Sequence, residues 1–399
     1  MSLSLHDLVA PPNALARHYS GFRVGERILL SGHSHQAWPD VALAGQVEAF
    51  EDAARDVDDK WVRAFAKAER VREGYRTLLG EPSGAIALGP ATHDLLVKLL
   101  SALPWGARRR IVTTEGEFHA MRRQLTALEQ QGFEVVRAAV DPIETLAERL
   151  AAGSDERTLV TFVSAVLFET ARIVPGLDRL AAACEHRGVP LVVDAYHALN
   201  VIPFELSRLG LASAFVTGGG YKYLQLGEGN AFLRLPPGFD GRPAITGWFA
   251  EFDALSAPRT PRDLPWGPPA SRFAGATYDP TSHYRAARVF DFFAENGLTA
   301  GFLSRVYRHQ VARLAEGFDA LGLDERVVTR DRSTRLEQLG GFLALESPRA
   351  GDLRRELNRR GVACDHRGEI LRLGPAPYLS DAQLEAGLAQ LGEIVRAAR

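Results

Sequence analysis

One of the four lysines in the chain lies in a segment unlike those around the other three. Lys222 follows an apolar run and three glycines and stands between two tyrosines, whereas Lys60, Lys67 and Lys98 fall in segments with helical patterns. Arginine supplies most of the positive charge elsewhere in the chain. A lysine kept at the end of a glycine-lined strand therefore predicts chemistry that requires an amine.

Two other segments place polar residues at comparable positions. Asp194 comes directly after the β-branched residues of "PLVVDAYH", where a carboxylate is costly without a cationic partner. Thr92 and His93 open a helical segment, and the free N–H groups of a helix start favour a phosphate. In an open parallel sheet, ligands bind outside the carboxyl ends of the strands, and all three features fall at such ends.

Together these residues match the requirements of pyridoxal phosphate. The Lys222 amine would form a Schiff base with the aldehyde, and Asp194 would keep the pyridine nitrogen protonated. A protonated ring is a better electron sink, and the helix start at Thr92 would hold the phosphate. Taken singly, Asp194 could be a turn residue and Lys222 a surface residue. The loose G-x-G-x-x-G spacing near Lys222 does not follow a first strand, so a nicotinamide site is not predicted.

The middle of the chain alternates between short apolar segments and segments with helical periodicity. "RRIVTTEG" precedes "AMRRQLTALEQQG", and "TLVTFVSAV" precedes "GLDRLAAACEHRG". This alternation predicts a doubly wound α/β fold, with a mostly parallel sheet covered by helices on both faces. We predict a large cofactor-binding domain over residues 40–285 and a smaller α+β domain from residues 1–39 plus 286–399. The proline-rich segment 257–269 is predicted to be an ordered loop.

The composition limits the partners and the compartment. With a net charge of −2, the chain has no basic excess to drive binding to a nucleic acid. Its two cysteines cannot form a disulfide framework, which fits a reducing cytoplasm. No apolar stretch reaches the roughly 18 residues of a membrane span, and no signal peptide is recognisable. We therefore expect a cytoplasmic protein that acts on a small molecule.

The segments around Asp194 and Lys222 resemble the class V branch of fold-type-I pyridoxal-phosphate enzymes, and kynureninase in particular. An Asp-x-x-His strand end at Asp194 and His197 is followed by Gly-Tyr-Lys-Tyr-Leu at residues 220–224. The resemblance extends, with gaps, from about Leu30 to the C-terminus. It implies the fold-type-I architecture, with a large sheet domain and a smaller domain, and pyridoxal phosphate as the cofactor.

The resemblance also implies roles for single residues. Trp248, in the segment "GWF", would lie near the phosphate, and Arg372 would bind the substrate α-carboxylate. Phe118 is the favoured residue for stacking on the pyridine ring, with His119 as the other candidate. Thr277 would reach the phosphate of a neighbouring subunit, which implies a homodimer with shared active sites. For Trp248 and Arg372, core packing and a structural ion pair are the respective alternatives.

Two residues beside the lysine have open roles. Tyr221 could donate to the phosphate or act as an acid, since a buried tyrosine hydroxyl needs a partner in either case. His197 could orient Asp194 or the cofactor ring, or it could be a satisfied core histidine.

The N-terminal part departs from the kynureninase pattern. His33 and His35 stand in "SGHSHQAWP", where that family carries a "GNSLG"-like stretch. No acidic residue or cysteine nearby completes a metal site, so substrate contact or loop packing is expected for both histidines. The segment "AVLFETA" also lacks the family's histidine and asparagine. More residues therefore support the prediction of the cofactor than support the prediction of the substrate.

Three functional hypotheses follow. The first is hydrolytic Cβ–Cγ cleavage, with kynurenine giving anthranilate and alanine. The alternative is a class V aminotransferase, or a β-lyase or desulfurase acting on another amino acid. A desulfurase needs a nucleophilic cysteine, but a structural thiol is expected for Cys184 in its helical segment and for Cys364 near Arg372. The third hypothesis, a cofactor-binding regulator, is disfavoured because no DNA-binding segment is recognisable.

Overall fold

A computed structural model gives the fold and describes residues 3–258, 260 and 262–397. The ends of the predicted small domain and two residues of the predicted proline-rich loop lie outside this description: Met1, Ser2, Arg259, Pro261, Ala398 and Arg399. The strands, in chain order, are β1 (Ile28–Leu29), β2 (Ala85–Gly89), β3 (Arg110–Thr114), β4 (Glu134–Ala138), β5 (Thr158–Ser164), β6 (Leu191–Asp194), β7 (Phe215–Gly219), β8 (Ala231–Leu235), β9 (Leu343–Glu346), β10 (Val362–Ala363), β11 (Asp365–Arg367) and β12 (Ile370–Leu373).

The central sheet has the strand order β2-β8-β7-β6-β5-β3-β4. The five strands from β3 to β7 pair in parallel, whereas β8 runs antiparallel to both β7 and β2. Every residue of β5 is buried, as expected for a strand that is covered on both faces. The predicted fold class is confirmed: the chain has an α/β architecture built on a large, mostly parallel sheet.

Helices lie on both faces of this sheet and in the C-terminal part of the chain. In chain order they are α1 (Leu5–Val9), α2 (Val41–Asp56), α3 (Trp61–Leu79), α4 (Thr92–Ser101), α5 (His119–Gln130), α6 (Leu146–Gly153), α7 (Leu177–His186), α8 (Thr281–Glu295), α9 (Ala300–Ala320), α10 (Ala350–Arg359) and α11 (Asp381–Ala397). Apolar residues of α4 and α5 form one core with the sheet, and those of α6 and α7 belong to the core on the other face. No helix within the described ranges has the length and apolar character needed to cross a membrane.

The C-terminal part contains a second sheet, antiparallel, with the order β11-β12-β9. β1 pairs in parallel with β10, so the N-terminal segment is joined to this part of the molecule. One apolar core nevertheless extends from the central sheet into α9, α10 and α11. The division into residues 40–285 and residues 1–39 plus 286–399 therefore stays a prediction.

Candidate active site

A cavity of about 350 Å³ lies where the carboxyl ends of β5, β6 and β7 meet the first turns of α4 and α5. Parallel strands bring these ends to one edge of the sheet, as the sequence analysis expects. The predicted residues that line the cavity are Thr92, His93, Phe118, Asp194, His197, Tyr221 and Lys222. Seven predicted site residues, distant in sequence, are therefore brought together.

Lys222 lies three residues beyond the end of β7, in a tight turn. Its side chain is 5% exposed, and Nζ is 2.7 Å from Nε2 of His197. Burial lowers the pKa of the amine to about 7, with Arg372 acting in the same direction and Asp194 opposing it. A large fraction of Lys222 is therefore unprotonated near neutral pH, which is the form that can act as a nucleophile or a base.

Aromatic rings surround this amine. Nζ of Lys222 lies 4.6 Å from the ring centre of Tyr196, 5.1 Å from that of Phe118 and 5.8 Å from that of Tyr221. Nδ1 of His197 lies 3.4 Å from the hydroxyl of Tyr223. Burial and the neighbouring Lys222 keep the pKa of His197 well below its ordinary value. The lysine thus contacts a neutral imidazole inside a largely apolar wall.

Asp194 is the last residue of β6. Its carboxylate accepts a hydrogen bond from the backbone N–H of Tyr196 at 2.8 Å, which fixes its direction. Burial raises the pKa of Asp194, and Lys222 is the cation that opposes this rise. Among the described residues no lysine, arginine or histidine lies within ion-pair distance of this carboxylate. A protonated ring nitrogen would supply the missing partner.

The start of α4 has the properties of a phosphate site. The hydroxyl of Thr92 is buried and has no hydrogen-bond partner, and no side chain caps the helix at Ala91. The first N–H groups of a helix need acceptors, and the helix dipole favours an anion there. His93 follows, with Nε2 at 3.3 Å from Oε1 of Gln124. An unsatisfied buried hydroxyl beside free N–H groups fits the phosphate of pyridoxal phosphate.

The two candidates for ring stacking differ in position. Phe118 lines the cavity and faces Lys222, and its ring packs edge-on against Phe168 at 5.3 Å. His119 is the first residue of α5 and also contacts the Phe168 ring, at 5.4 Å, but it does not line the cavity. The geometry therefore favours Phe118 for this role, which remains a prediction.

Arg372 does not line the cavity; it is ion-paired with Asp365 in a buried network and bonded to Phe168, which does line it. Its Nε and Nη2 donate to Asp365 at 2.9 Å and 2.5 Å, and Nη1 donates to the carbonyl of Phe168 at 2.6 Å. His33 completes the network, with Nε2 at 2.7 Å from Oδ1 of Asp365. Burial lowers the pKa of His33 to about 4, against the effect of the Asp365 carboxylate. His33 is thus placed behind Arg372 and does not line the cavity.

His35 occupies the rim. Its ring stacks on that of Tyr221, with centres 4.7 Å apart, and its Nε2 lies 3.7 Å from a carboxylate oxygen of Glu228. Tyr221 and Glu228 both line the cavity, whereas more than half of the His35 side chain is exposed. The two predicted histidines therefore have different environments, one buried and one at the entrance.

Trp248 and Thr277 lie apart from the cavity within the chain. Trp248 is 42% exposed and packs against the rings of Phe249 and Phe252. Thr277 is also exposed, in the loop that leads to α8. Neither lines the cavity that contains Lys222, so neither predicted cofactor contact is made within this cavity.

Both cysteines are buried away from this cavity. Cys184 belongs to the core beneath α7, and burial raises the pKa of Cys364 to about 12. Neither residue lines the cavity, so neither is placed to act as a nucleophile on a ligand there. In the part of the chain that the structure describes, no group of three or more histidine, cysteine, aspartate or glutamate side chains could hold a metal ion.

Three residues at the site were not predicted from the sequence. Ser164 ends β5 beside Asp194, and its position after a buried strand gave the same signal as that of Asp194. Tyr196 lies two residues after Asp194 and packs on Lys222. Asp365 could not have been identified, because its contacts with His33 and Arg372 depend on the tertiary fold.

Comparisons with known proteins extend this description. No family model matches the chain. The chain is 28% identical over 334 residues to isopenicillin N epimerase of Streptomyces clavuligerus, covering 79% of this chain and 81% of the relative. It is 22% identical over 338 residues to the uncharacterised aminotransferase YcbU of Bacillus subtilis, covering 83% and 85% of the two chains.

Solved structures share the fold. The apo cysteine desulfurase of Thermococcus onnurineus NA1 matches with a TM-score of 0.81 at 18% identity, over the full length of both chains. A C-DES variant with glycine covalently linked to its pyridoxal-phosphate cofactor matches with a TM-score of 0.81 at 15% identity, over 94% and 98% of the two chains.

These comparisons support the coarser part of the prediction, a class V enzyme dependent on pyridoxal phosphate. They do not support the specific resemblance to kynureninase, since the sequence relatives are named as an epimerase and an aminotransferase.

Proposed function

We propose that this chain is a pyridoxal-phosphate enzyme that binds an α-amino acid and removes its α-proton with the amine of Lys222. The observation that carries the proposal is the cavity in which Lys222, Asp194 and the unpartnered hydroxyl of Thr92 meet. The bound cofactor supplies an electron sink for the charge that develops at the α-carbon. The protein's own residues bind the substrate, orient it and move the proton.

Lys222 has the environment of a general base. Its pKa of about 7 means that protonated and neutral forms coexist at neutral pH, so the amine can accept a proton and return it. His197, at 2.7 Å, is held neutral and can exchange a hydrogen bond with the amine in either state. The rings of Phe118 and Tyr196 limit the access of water to this pair.

Arg372 is the proposed partner of the substrate α-carboxylate. Asp365 and the carbonyl of Phe168 fix the orientation of the guanidinium, yet each terminal nitrogen carries a second N–H. Those N–H groups can form the two parallel hydrogen bonds that a carboxylate accepts from arginine. In this arrangement Asp365 and His33 support the arginine and do not contact the substrate.

Cleavage of a kynurenine-like side chain is the first candidate for the step after proton removal. It is supported by the resemblance around residues 194–224 and by the apolar wall of Val166 and Phe168, which could pack against an aromatic ring. Water would add to the side-chain carbonyl and the Cβ–Cγ bond would break, so kynurenine and water would give anthranilate and alanine. Tyr221 and His35, stacked at the rim, are the polar side chains proposed to face the carbonyl group of such a substrate.

A change confined to the α-carbon, by epimerisation or amino transfer, is the second candidate. It is favoured by the 28% identity to an epimerase over most of both chains. Both reactions begin with removal of the α-proton, the step proposed for Lys222, and neither needs a group to hold a side-chain carbonyl. Epimerisation then requires a proton returned to the opposite face of the α-carbon, and amino transfer requires the amino group to be passed to a keto acid. Sulfur transfer through a cysteine is not proposed, because neither cysteine lines the cavity.

One experiment tests the shared step and separates the candidates. Holoenzyme is incubated in D2O with L-kynurenine, 3-hydroxy-L-kynurenine or single protein amino acids, and α-hydrogen exchange and products are followed by NMR. Exchange is expected with at least one amino acid, and the Lys222→Ala variant should lose it by roughly a thousandfold or more. Lys60→Ala, outside the cavity, is the control.

The products identify the reaction. Equal amounts of alanine and anthranilate without a keto acid would establish cleavage, whereas the opposite enantiomer or a keto acid would establish the second candidate. Exchange that persists unchanged in Lys222→Ala would refute the proposal as a whole.

We also propose a homodimer in which each subunit completes the other's site. Thr277 and Trp248 are exposed and lie outside their own cavity, as a contribution to a partner's phosphate site requires. An apolar stripe lies on the solvent side of α2, formed by Leu43, Val47 and Phe50. The stripe faces away from α8, against which α2 packs, and it is proposed to contact a second copy of the chain.

A further inference from the structure

Glu117 is a buried carboxylate that the proposed mechanism does not use. Glu117 lies in the turn between β3 and α5 and is 3% exposed. Oε1 accepts hydrogen bonds from the hydroxyl of Thr114 at 2.7 Å and from the N–H of Ser164 at 3.1 Å. Oε2 accepts from the hydroxyl of Ser164 at 2.7 Å. Burial raises the pKa of Glu117, and the nearby Asp194 acts in the same direction. The three donors at Ser164 and Thr114 oppose this rise and favour the ionised carboxylate.

This carboxylate is close to the cavity but does not line it. Ser164, which provides two of the three donors, is paired in register with Asp194 across β5 and β6. Phe118, which follows Glu117 in the sequence, faces Lys222. No ion pair to a lysine, arginine or histidine is formed by Glu117 within the described ranges. A buried carboxylate without a cationic partner is costly in its ionised form, so its presence beside Asp194 requires an explanation.

We infer that Glu117 is a positioning residue that acts through Asp194, by keeping a proton on the ligand group that Asp194 holds. This inference rests on the proposed function, since the ligand group is the ring nitrogen of the cofactor. A second negative charge one strand away makes it harder for a positive group at Asp194 to lose its proton. The hydrogen bonds to Ser164 fix the distance over which this charge acts.

The same turn links the charge to the cavity wall. Because Glu117 is tied to β3 through Thr114 and to β5 through Ser164, the backbone that carries Phe118 is held against both strands. The hydroxyl of Thr114 also accepts from the N–H of Gly116, which closes the turn.

Besides Asp194 and Lys222, the titratable side chains that line the cavity are His93, Tyr196, His197, Tyr221 and Glu228.

The test is a pH titration of the absorption band of the bound cofactor in wild type, Glu117→Gln and Glu117→Asp. Glutamine keeps the shape and can accept from Ser164 and Thr114, but it lacks the charge. The pH at which the ring nitrogen of the bound cofactor loses its proton is expected to fall by roughly one unit in Glu117→Gln. Glu117→Asp keeps the charge and should stay close to wild type. Asp52→Asn, a buried carboxylate bonded to Tyr284 outside the cavity, is the matched control.

A second readout concerns the ring nitrogen itself. With cofactor labelled with ¹⁵N at the ring, the signal of Glu117→Gln should move toward the unprotonated position at a pH where wild type remains protonated. Equal titrations and equal ¹⁵N shifts in wild type and Glu117→Gln would overturn the inference. If Glu117→Gln does not fold, a one-unit fall in Glu117→Asp would overturn it instead, because that variant retains the charge.

The outcome for wild type separates this inference from the proposed function. If wild type shows no cofactor band that depends on Lys222, the proposed function fails. If that band is present and Glu117→Gln leaves its titration unchanged, only the role of Glu117 fails.

Discussion

At the scale of single residues, burial shifts the pKa values of a lysine and an aspartate at the site in opposite directions. Burial lowers the pKa of Lys222 and raises that of Asp194, so both groups are driven toward their neutral forms. Each group partly opposes the shift of the other. A cofactor that reacts with the amine and brings a positive nitrogen to the carboxylate would relieve both costs at once.

The lowered pKa of Lys222 predicts how the stability of the apoprotein depends on pH. Between about pH 7 and the ordinary lysine pKa of about 10.4, the unfolded chain binds a proton at Lys222 that the folded chain does not bind. The free energy of unfolding from this group therefore rises with pH across that interval and is constant below it. Lys222→Met should accordingly stabilise the apoprotein by a few kcal/mol below pH 7, and this advantage should shrink toward pH 10.

Urea unfolding of wild-type and Lys222→Met apoprotein at several pH values measures this difference. Lys60→Met, remote from the cavity, controls for the loss of a lysine. A stability difference that does not change with pH would show that the amine is not held in its neutral form by the fold.

Local sequence was sufficient to predict some of the site residues but not others. Lys222, Asp194 and Thr92 could be predicted because each follows or opens a regular element, and the chemistry of a strand end or helix start is local. The contact of His33 with Asp365 joins residues 332 positions apart. No periodicity or motif encodes such a pair, so the sequence left substrate contact and loop packing as the two expectations for His33.

At the scale of elements, helix starts and strand ends supply the groups of the site. The alternation of apolar and helical segments predicted the parallel part of the sheet, since buried strands on both faces have a recognisable apolar composition. It did not predict that β8 runs antiparallel between β7 and β2. Strand direction at that edge depends on the short connection after Lys222, whose path is set by tertiary contacts.

The first turn of α4 leads to a prediction about cofactor affinity. Thr92→Val removes a buried hydroxyl that has no partner in the apoprotein, so the apoprotein should keep or gain stability. If that hydroxyl donates to the phosphate, cofactor binding should weaken roughly tenfold or more, the loss expected for one hydrogen bond to a charged group. Equilibrium dialysis of pyridoxal phosphate with each apoprotein measures the effect.

A second threonine provides the matched control. Thr113, in β3, also has a buried hydroxyl without a partner, but it does not line the cavity. Thr113→Val should resemble Thr92→Val in apoprotein stability and resemble wild type in cofactor affinity. Equal affinities in all three proteins would place the phosphate away from the start of α4.

At the scale of the whole molecule, the groups of the proposed site come from separate parts of the chain. The residues that line the cavity lie between Pro90 and Ala231, whereas Arg372 of β12 and His33 of the N-terminal segment do not line it and are joined to each other through Asp365. The residues that hold the proposed substrate carboxylate and those that hold the proposed cofactor thus come from different parts of the chain. Composition predicted that a core of this size could form, but not how the two parts meet.

The exposed apolar stripe on α2 leads to the last prediction. Leu43 and Phe50 are 66% and 75% exposed, which is unusual for large apolar side chains grouped on one helix face. Trp61, in the first turn of α3, packs edge-on against Phe249 at 5.1 Å, and Phe249 packs against the exposed Trp248. The stripe and the segment of Trp248 are proposed to belong to one interface.

Phe50→Glu should separate the subunits, because a carboxylate in the centre of an apolar contact would be desolvated without a partner. Light scattering should then give a mass near the 43.6 kDa of one chain, where wild type gives twice that value. If Thr277 of the partner contributes to the phosphate site, the monomer should also bind pyridoxal phosphate several-fold more weakly. Trp105→Glu, at a partly exposed residue outside the stripe, is the control and should retain both mass and affinity. A monomeric wild type would refute the shared site, and a Phe50→Glu dimer with unchanged affinity would place the interface on another surface.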